Sequence, residues 1–271
     1  MSALLARLID DAALDAPDPA PPDRVPMDRV PMDRALAAHR EAGRDPAAGR
    51  FLCPASRFAE LRALLVPEDL LDLGLIADTG IEELPDALDA VRAEPRVRPS
   101  AVRIALPRDA DQARAVAVTI ARLPSDVPAH IEVRRSPGWR DALDRMSAAR
   151  DHGALLGAAY RMDGPDAEVA AFISACAERG LPFTCTAGAD RAVRHQDRHG
   201  FLNVLLATAG ATRGDDVRRT LERTDPSGLA AELLALTDDE VRATRRLLLS
   251  FGTPGVDAAL SALSLIRPPA A

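Results

Sequence analysis

The sequence contains no lysine: all 34 basic residues are arginine. No side chain can therefore form a catalytic Schiff base, anchor pyridoxal phosphate or supply the lysine of a phosphate-binding loop. The accompanying bias toward Ala, Arg, Asp, Leu and Pro fits a GC-rich coding sequence. Cysteine is nearly as scarce. Cys53, Cys176 and Cys185 are odd in number, widely spaced and set in apolar contexts, which excludes a disulfide framework and predicts reduced thiols in a cytoplasmic protein. Cys176 falls on an apolar helix face and Cys185 on the outward side of a strand, so both are expected in the core rather than as nucleophiles. Aromatic residues make up 3% of the chain, which leaves little for base stacking, and 41 acidic residues outnumber the arginines for a net charge of -7. A nucleic-acid partner needs the opposite balance. No apolar run reaches the roughly 18 residues of a membrane helix. The opening Met-Ser-Ala-Leu-Leu-Ala-Arg lacks the basic region of a secretory leader, so neither a membrane nor an export signal is expected. Gly-x-Ser-x-Gly and Gly-x-Gly-x-x-Gly are both missing, which speaks against hydrolase and nicotinamide chemistry, and no cofactor is predicted.

What is present is apolar material for a substantial core, 47% of 271 residues, arranged in two unlike parts. Residues 1–47 read as an extension: a short amphipathic helix over 2–15, then a linker over 16–34. In the linker Asp-Arg-Val-Pro-Met occurs at 23–27 and again at 28–32, with a third start at Asp33-Arg34. A proline in every copy rules out a continuous helix or a full strand ladder and predicts a flexible tail. Residues 48–271 read as a single domain. Short apolar runs at 51–54, 70–77, 101–106, 130–133, 154–160 and 182–186 alternate with helical periodicity at 58–65, 81–93, 110–123, 139–150 and 167–179. Alternating strand and helix is the pattern of a parallel sheet with right-handed crossovers. The spacing predicts a (β/α) barrel of the TIM type, incomplete on these strands alone, with a helix-rich part over 201–211, 214–223 and 237–249. A strand near 248–252 would bring it closer to eight-fold.

In a barrel, alternate residues of each strand face the lumen. Val102, Ile104 and Leu106 are the apolar set of their strand, which turns Arg103 inward. Ile131 and Val133 do the same for His130, Glu132 and Arg134, and Leu71, Leu73 and Leu75 for Asp72, Gly74 and Asp78. Phe183 and Cys185 leave Thr184 and Thr186 inside, and the run from 154 ends on Arg161. Charges in such a lumen must pair with one another or meet ligand and water. A self-neutralising ion cluster is one outcome. The other is an anion site at the C-terminal strand ends, where a planar guanidinium grips carboxylate or phosphate through two hydrogen bonds. Two histidines four apart, His195 and His199, lack the third ligand and the glutamate of a metalloprotease motif, so no metal site is predicted. Trp139, after Pro137-Gly138 at a helix start, is expected to be a packing anchor.

Ala-Tyr-Arg-Met-Asp-Gly at 159–164, Pro-Phe-Thr-Cys-Thr-Ala-Gly-Ala-Asp-Arg at 182–191, His-Gly-Phe-Leu-Asn at 199–203 and Ser-Phe-Gly-Thr at 250–253 carry a resemblance over residues 48–265. The chain resembles an uncharacterised bacterial barrel-like family whose motifs are A-K-x-R-x-G-G, P-F-K-x-T-A-G-L-H-H-P, H-G-F-L-N and S-F-G-S-C-S. Against those motifs Ala159 and Thr184 stand in place of both lysines, and Asp190 and Arg191 in place of the histidine pair. Arg161, Thr186, Gly188, Asn203, Ser250 and Gly252 are retained. The resemblance therefore implies a binding scaffold that has lost the family's amine and imidazole groups.

Together these features predict a barrel that binds a small anionic metabolite at its C-terminal rim. As an enzyme it is a lyase or isomerase working by proton transfer without a Schiff base. Glu132 is the base and Arg161 holds the anion, with Asp78, Arg103, Arg134, Thr186, Gly188 and Asn203 completing the pocket. The alternative is a catalytically degenerate paralogue serving as a binding or scaffolding subunit, in a homo- or hetero-oligomer.

Overall fold

A computed structural model describes residues 2–15, 30–187 and 191–266. Eight parallel strands close into a barrel in chain order: β1 Ile9–Asp11, β2 Ala48–Pro54, β3 Leu71–Ile76, β4 Val97–Ala105, β5 Ala129–Glu132, β6 Leu156–Arg161, β7 Phe183–Ala187 and β8 Leu248–Thr253. Ile9 pairs with Ala48 on one side and Phe251 on the other, so β1 closes the ring. The short helix α1, Ser2–Leu5, precedes β1, and helices follow the strands in turn. They are α2 Met32–Ala42, α3 Phe58–Leu64, α4 Leu84–Arg92, α5 Gln112–Ile120, α6 Trp139–Asp151 and α7 Asp166–Glu178. After β7 come α8 Phe201–Ala211, α9 Val217–Leu221, α10 Pro226–Leu234 and α11 Asp238–Leu247, and α12 Val256–Ala262 follows β8.

Strand alternation explains the two-walled core. Phe51, Leu73, Val102, Ile131, Ala158, Phe183 and Phe251 point outward and are completely or almost completely buried beneath the helices, as the period of two requires. The three additional helices have a sequence cause. In α8 every residue from Phe201 to Gly210 is buried, because its apolar residues run all the way round and one barrel-facing stripe does not hide them. Packing α9, α10 and α11 against the far side of α8 supplies the missing cover. The amphipathic α11 starts with a capping box in which Thr237 and Glu240 satisfy each other's backbone groups.

The division at residue 47 does not hold. The stretch 2–15, expected as one amphipathic helix, is a four-residue helix, a sharp turn through Arg7 at φ 51°, and a barrel strand. Leu4, Leu8 and Ile9 are buried in the main core, so this segment is a structural stave of the barrel. The third repeat start, Asp33-Arg34, lies in the first turn of α2, where an acidic residue complements the helix dipole. The repeat copy at 23–27 and the first two residues of the copy at 28–32 lie outside the described residues. All three cysteines are buried and free, and burial pushes the Cys53 thiol up to about 12.

Candidate functional site

The lumen is charged, and from its base to its middle the charges are mutually satisfied. At the N-terminal end Asp72 of β3 is held by Arg7 and by Arg98 of β4, whose Nε donates to Asp72 Oδ1 at 2.6 Å. Burial opposes that carboxylate's charge, but the two guanidinium groups hold its pKa below the usual range. At mid-height Asp10 of β1 accepts from Arg50 of β2 through the backbone N–H (2.7 Å), Nε (3.1 Å) and Nη2 (2.8 Å). Ser250 of β8 closes the triangle: its hydroxyl accepts from Arg50 Nη2 at 2.8 Å and donates to Asp10 Oδ2 at 2.6 Å. Gly49 makes room, since a Cβ there would run into Asp10. His130 of β5 faces this cluster, and burial together with the Arg50 charge depresses its pKa to about 3. The ring is therefore neutral at physiological pH.

Toward the C-terminal mouth, satisfaction fails. Arg103 of β4 is paired through Nη2 with Asp15 Oδ1 at 2.5 Å, and burial, which works against its charge, is outweighed by that carboxylate. Its Nη1 is buried without a hydrogen-bond partner, as is the hydroxyl of Thr186 on β7. Both line one lumen cavity of about 20 Å³ beside Leu52, Gly74, His130 and Gly252. That is room for a water, not a metabolite. Glu132, at the end of β5 and 4% exposed, pairs with Arg134 at 3.2 Å, and its field reaches Arg103.

Space for a ligand lies just outside, over the ends of β4, β5 and β6. A cleft of about 590 Å³ is lined by Arg108, Arg134 and Arg135 from the connections after β4 and β5 and by Arg161 at the end of β6, with Val133, Ser136, Tyr160, Asp163, Gly164 and Pro165. Asp163 is the one carboxylate among those residues. It accepts from Arg161 Nε at 3.0 Å and Nη2 at 2.8 Å. The volume falls within the usual range for small-molecule pockets, and clustered guanidinium groups offer planar, two-point recognition of oxyanions. Glu132 stands behind Arg134 at the border between cleft and lumen.

Of the residues anticipated from sequence, Arg103, Glu132, Arg134, Arg161 and Thr186 gather at this mouth. Arg134 lies beyond β5, so the strand rule that turned it inward no longer governs it, and it lines the cleft. Asp78 does not join them. Strand alternation ends at Ile76, and Asp78 sits in an exposed turn where it accepts from the Ser56 hydroxyl at 2.5 Å and the Ser56 backbone N–H at 3.1 Å. Asn203 is fully buried on α8, accepts from Arg194 N (2.9 Å) and donates to the carbonyls of Thr220 (3.1 Å) and Arg223 (2.8 Å). It staples α9 to α8. Gly188 lies outside the described residues. His199, also fully buried, donates from Nε2 to Gly164 O at 2.8 Å, with Nδ1 at 3.3 Å from Asp166. Among the described residues no group of three or more His, Cys, Asp or Glu side chains is arranged to hold a metal, and no helix is long and apolar enough to cross a membrane. Sequence reasoning missed Asp10, Asp15, Arg50, Arg108 and Arg135. A strand of three residues gives no periodicity to read, and Arg108 and Arg135 sit in connections where no alternation applies. No family model, curated protein or solved structure matches the chain. The fold and cleft are consistent with small-molecule binding or catalysis in general.

Proposed function

We propose that this chain binds a small anionic metabolite across the arginine cleft, and that its chemistry is a proton transfer at Glu132 in a lyase or isomerase reaction. The observation that carries the anion assignment is the convergence of four guanidinium groups on one cleft of about 590 Å³ with a single carboxylate among its lining residues. In this scheme Arg108 and Arg161 grip the anion, and Arg134 bridges it to Glu132. Arg103 and Thr186 offer the buried N–H and O–H that lack partners. Glu132 needs no cofactor to remove a proton from a carbon beside a carboxylate or carbonyl, since the arginines stabilise the negative charge that develops there.

The second reading is a binding subunit without turnover. Its specific support is that Ala159 and Thr184, which stand where the resembled family has lysines, are register partners on the lumen side of β6 and β7. A barrel that used amines there has none. Thermal-shift titrations with inorganic phosphate, pyrophosphate, malonate and citrate test the shared claim, because a ligand selective for the folded state raises Tm. Arg108→Ala and Arg161→Ala are each expected to reduce the shift sharply. An unshifted wild type, or variants that shift as much as it does, would sink the assignment. Deuterium incorporation from solvent into a bound carboxylate ligand, lost in Glu132→Gln, separates the enzyme from the binding subunit. Activity appearing on Ala159→Lys with Thr184→Lys would identify a degenerate relative of an amine enzyme.

A further inference from the structure

The arginine cleft has a neighbour. A second cavity, of about 420 Å³, lies on the other side of Arg135 and shares Arg135, Ser136 and Tyr160 with the first. Its lining is of a different kind: Pro137, Trp139, Ala167 and Ala171 give apolar walls, with Arg140 and Glu168 at the edge. Arg135 forms the partition. Its Nε donates to Tyr160 Oη at 2.6 Å, its guanidinium pairs with Glu168, and it lies over Gly164, where any Cβ would collide with it. Tyr160 is in turn fixed by stacking on Phe172, ring centroids 4.0 Å apart. At the junction the Ser136 hydroxyl is buried with no hydrogen-bond partner, a condition that native structures seldom leave unsatisfied. Trp139 is half-buried in the wall, with the Arg140 guanidinium 4.4 Å from its ring centroid.

An inorganic anion or a short aliphatic acid uses none of that second cavity. Resting on the anion reading above, we infer that the ligand is an organophosphate with a planar tail. Its phosphate lies among Arg108, Arg134 and Arg161, its tail lies against Trp139 and Ala171, and a polar atom between the two meets the Ser136 hydroxyl. Apolar walls reward a flat hydrocarbon or heterocyclic group, and the Arg140 cation over the Trp139 ring holds that ring in the wall. The two halves of the molecule are recognised by chemically different halves of one groove, so neither half alone is enough for tight binding.

Trp139 is the chain's single tryptophan, so tryptophan emission, excited selectively over Tyr160, reports on this wall alone. The full-length chain is titrated with inorganic phosphate, phenyl phosphate and adenosine monophosphate, with phenol and adenosine as tails lacking the head. At least one of the two organophosphates is expected to bind ten-fold or more tighter than phosphate and to quench Trp139, while phosphate competes without quenching. Followed by calorimetry, Trp139→Leu should bring the organophosphate down to the affinity of phosphate and leave phosphate itself unchanged. Ser136→Ala should weaken only the organophosphate. Equal affinity for all three anions overturns the tail and leaves the anion site standing. Tails that bind as well as their phosphates overturn the anion site, and silence from every probe overturns both.

Discussion

The mid-lumen cluster and the rim cleft are built from the same side chains and have opposite characters. In the lumen Arg50 has its carboxylate, its hydroxyl and its backbone geometry fixed by residues of β1, β2 and β8. At the rim, four arginines line one cleft, and three of them pair with carboxylates at its edge: Arg134 with Glu132, Arg135 with Glu168 and Arg161 with Asp163. A barrel interior is sealed from water, so each charge there must be answered within the fold or it costs more than the fold can bear. The rim is wet, and its paired guanidinium groups stay open to solvent and ligand. The comparison teaches that arginine content does not mark a site: whether solvent and ligand can reach the guanidinium groups does.

The sharpest way to break the comparison is to remove one partner from the sealed side. Asp10→Ala leaves the Arg50 guanidinium buried without its counter-charge, and the expected loss is about 3–5 kcal/mol of unfolding free energy. That corresponds to a fall in Tm on the order of 10 °C, measured by urea and thermal melts. Replacing both charges, as in Asp10→Leu with Arg50→Met, should recover a large part of the loss, because apolar groups of similar size need no answering charge. A single variant as stable as wild type would mean that water reaches the mid-lumen and that the two regions are alike.

His130 sharpens the same contrast through pH. Its folded-state pKa of about 3 lies below the ordinary value of 6.5 because burial and Arg50 disfavour the imidazolium. The unfolded chain therefore binds the proton first as pH falls. The stabilisation from the neutral ring is complete above 6.5 and is lost as pH drops from 6.5 toward 3, by at most about 1.4 kcal/mol per pH unit. Between pH 6.5 and 4.5 the wild type is expected to lose stability more steeply than His130→Asn. Parallel profiles would show that the ring is reached by solvent. Asp72, whose pKa is depressed by Arg7 and Arg98, adds its own loss at lower pH, below the ordinary carboxylate range.

Much of this architecture can be read from the chain, and the reasons it stops are physical. Six strands and most of the helices follow from apolar spacing, and the alternation that turned Arg103, Glu132 and Thr186 inward holds because those residues lie within strands flanked by Val102, Ile104, Ile131 and Cys185. It fails at Asp78, two residues past the end of β3. It also fails at β1, where two aspartates follow one isoleucine and only closure against Phe251 and Ala48 makes a strand of them. Asn203 shows a third limit. Its spacing and neighbours say nothing of the backbone carbonyls at Thr220 and Arg223 that a later helix brings to it. The rim cleft was half legible: Arg161 ends β6 and Arg134 follows β5 by two residues, while Arg108 and Arg135 are placed only by loop conformation.

On the rim side, Arg161→Ala should be nearly silent in stability and loud in binding. Its partner Asp163 is half exposed, and such pairs contribute about 0–1 kcal/mol. A ten-fold loss of anion affinity, about 1.4 kcal/mol, alongside a Tm within two degrees of wild type would place Arg161 in the ligand-accessible class. A stability loss comparable to that of Asp10→Ala would move it to the sealed class and remove the case for the cleft.

The smallest expected effect belongs to the border between the two regions. Asp15 holds Arg103 at the mouth with side-chain exposures of 19% and 12%, yet Arg103 Nη1 and the Thr186 hydroxyl beside it remain unanswered. A carboxylate from the chain itself thus stands where an oxyanion ligand would meet this arginine. If the upper lumen belongs functionally to the rim, Asp15 competes with the ligand, and Asp15→Asn should tighten anion binding by roughly three- to five-fold, under about 1 kcal/mol. The gain should vanish in Asp15→Asn with Arg103→Gln, since the competition runs through that one guanidinium. Unchanged affinity together with a stability loss of several kcal/mol would assign Arg103 and Asp15 to the sealed network instead. The boundary of the site would then fall at Glu132 and Arg134, the pair whose two members face the lumen and the cleft.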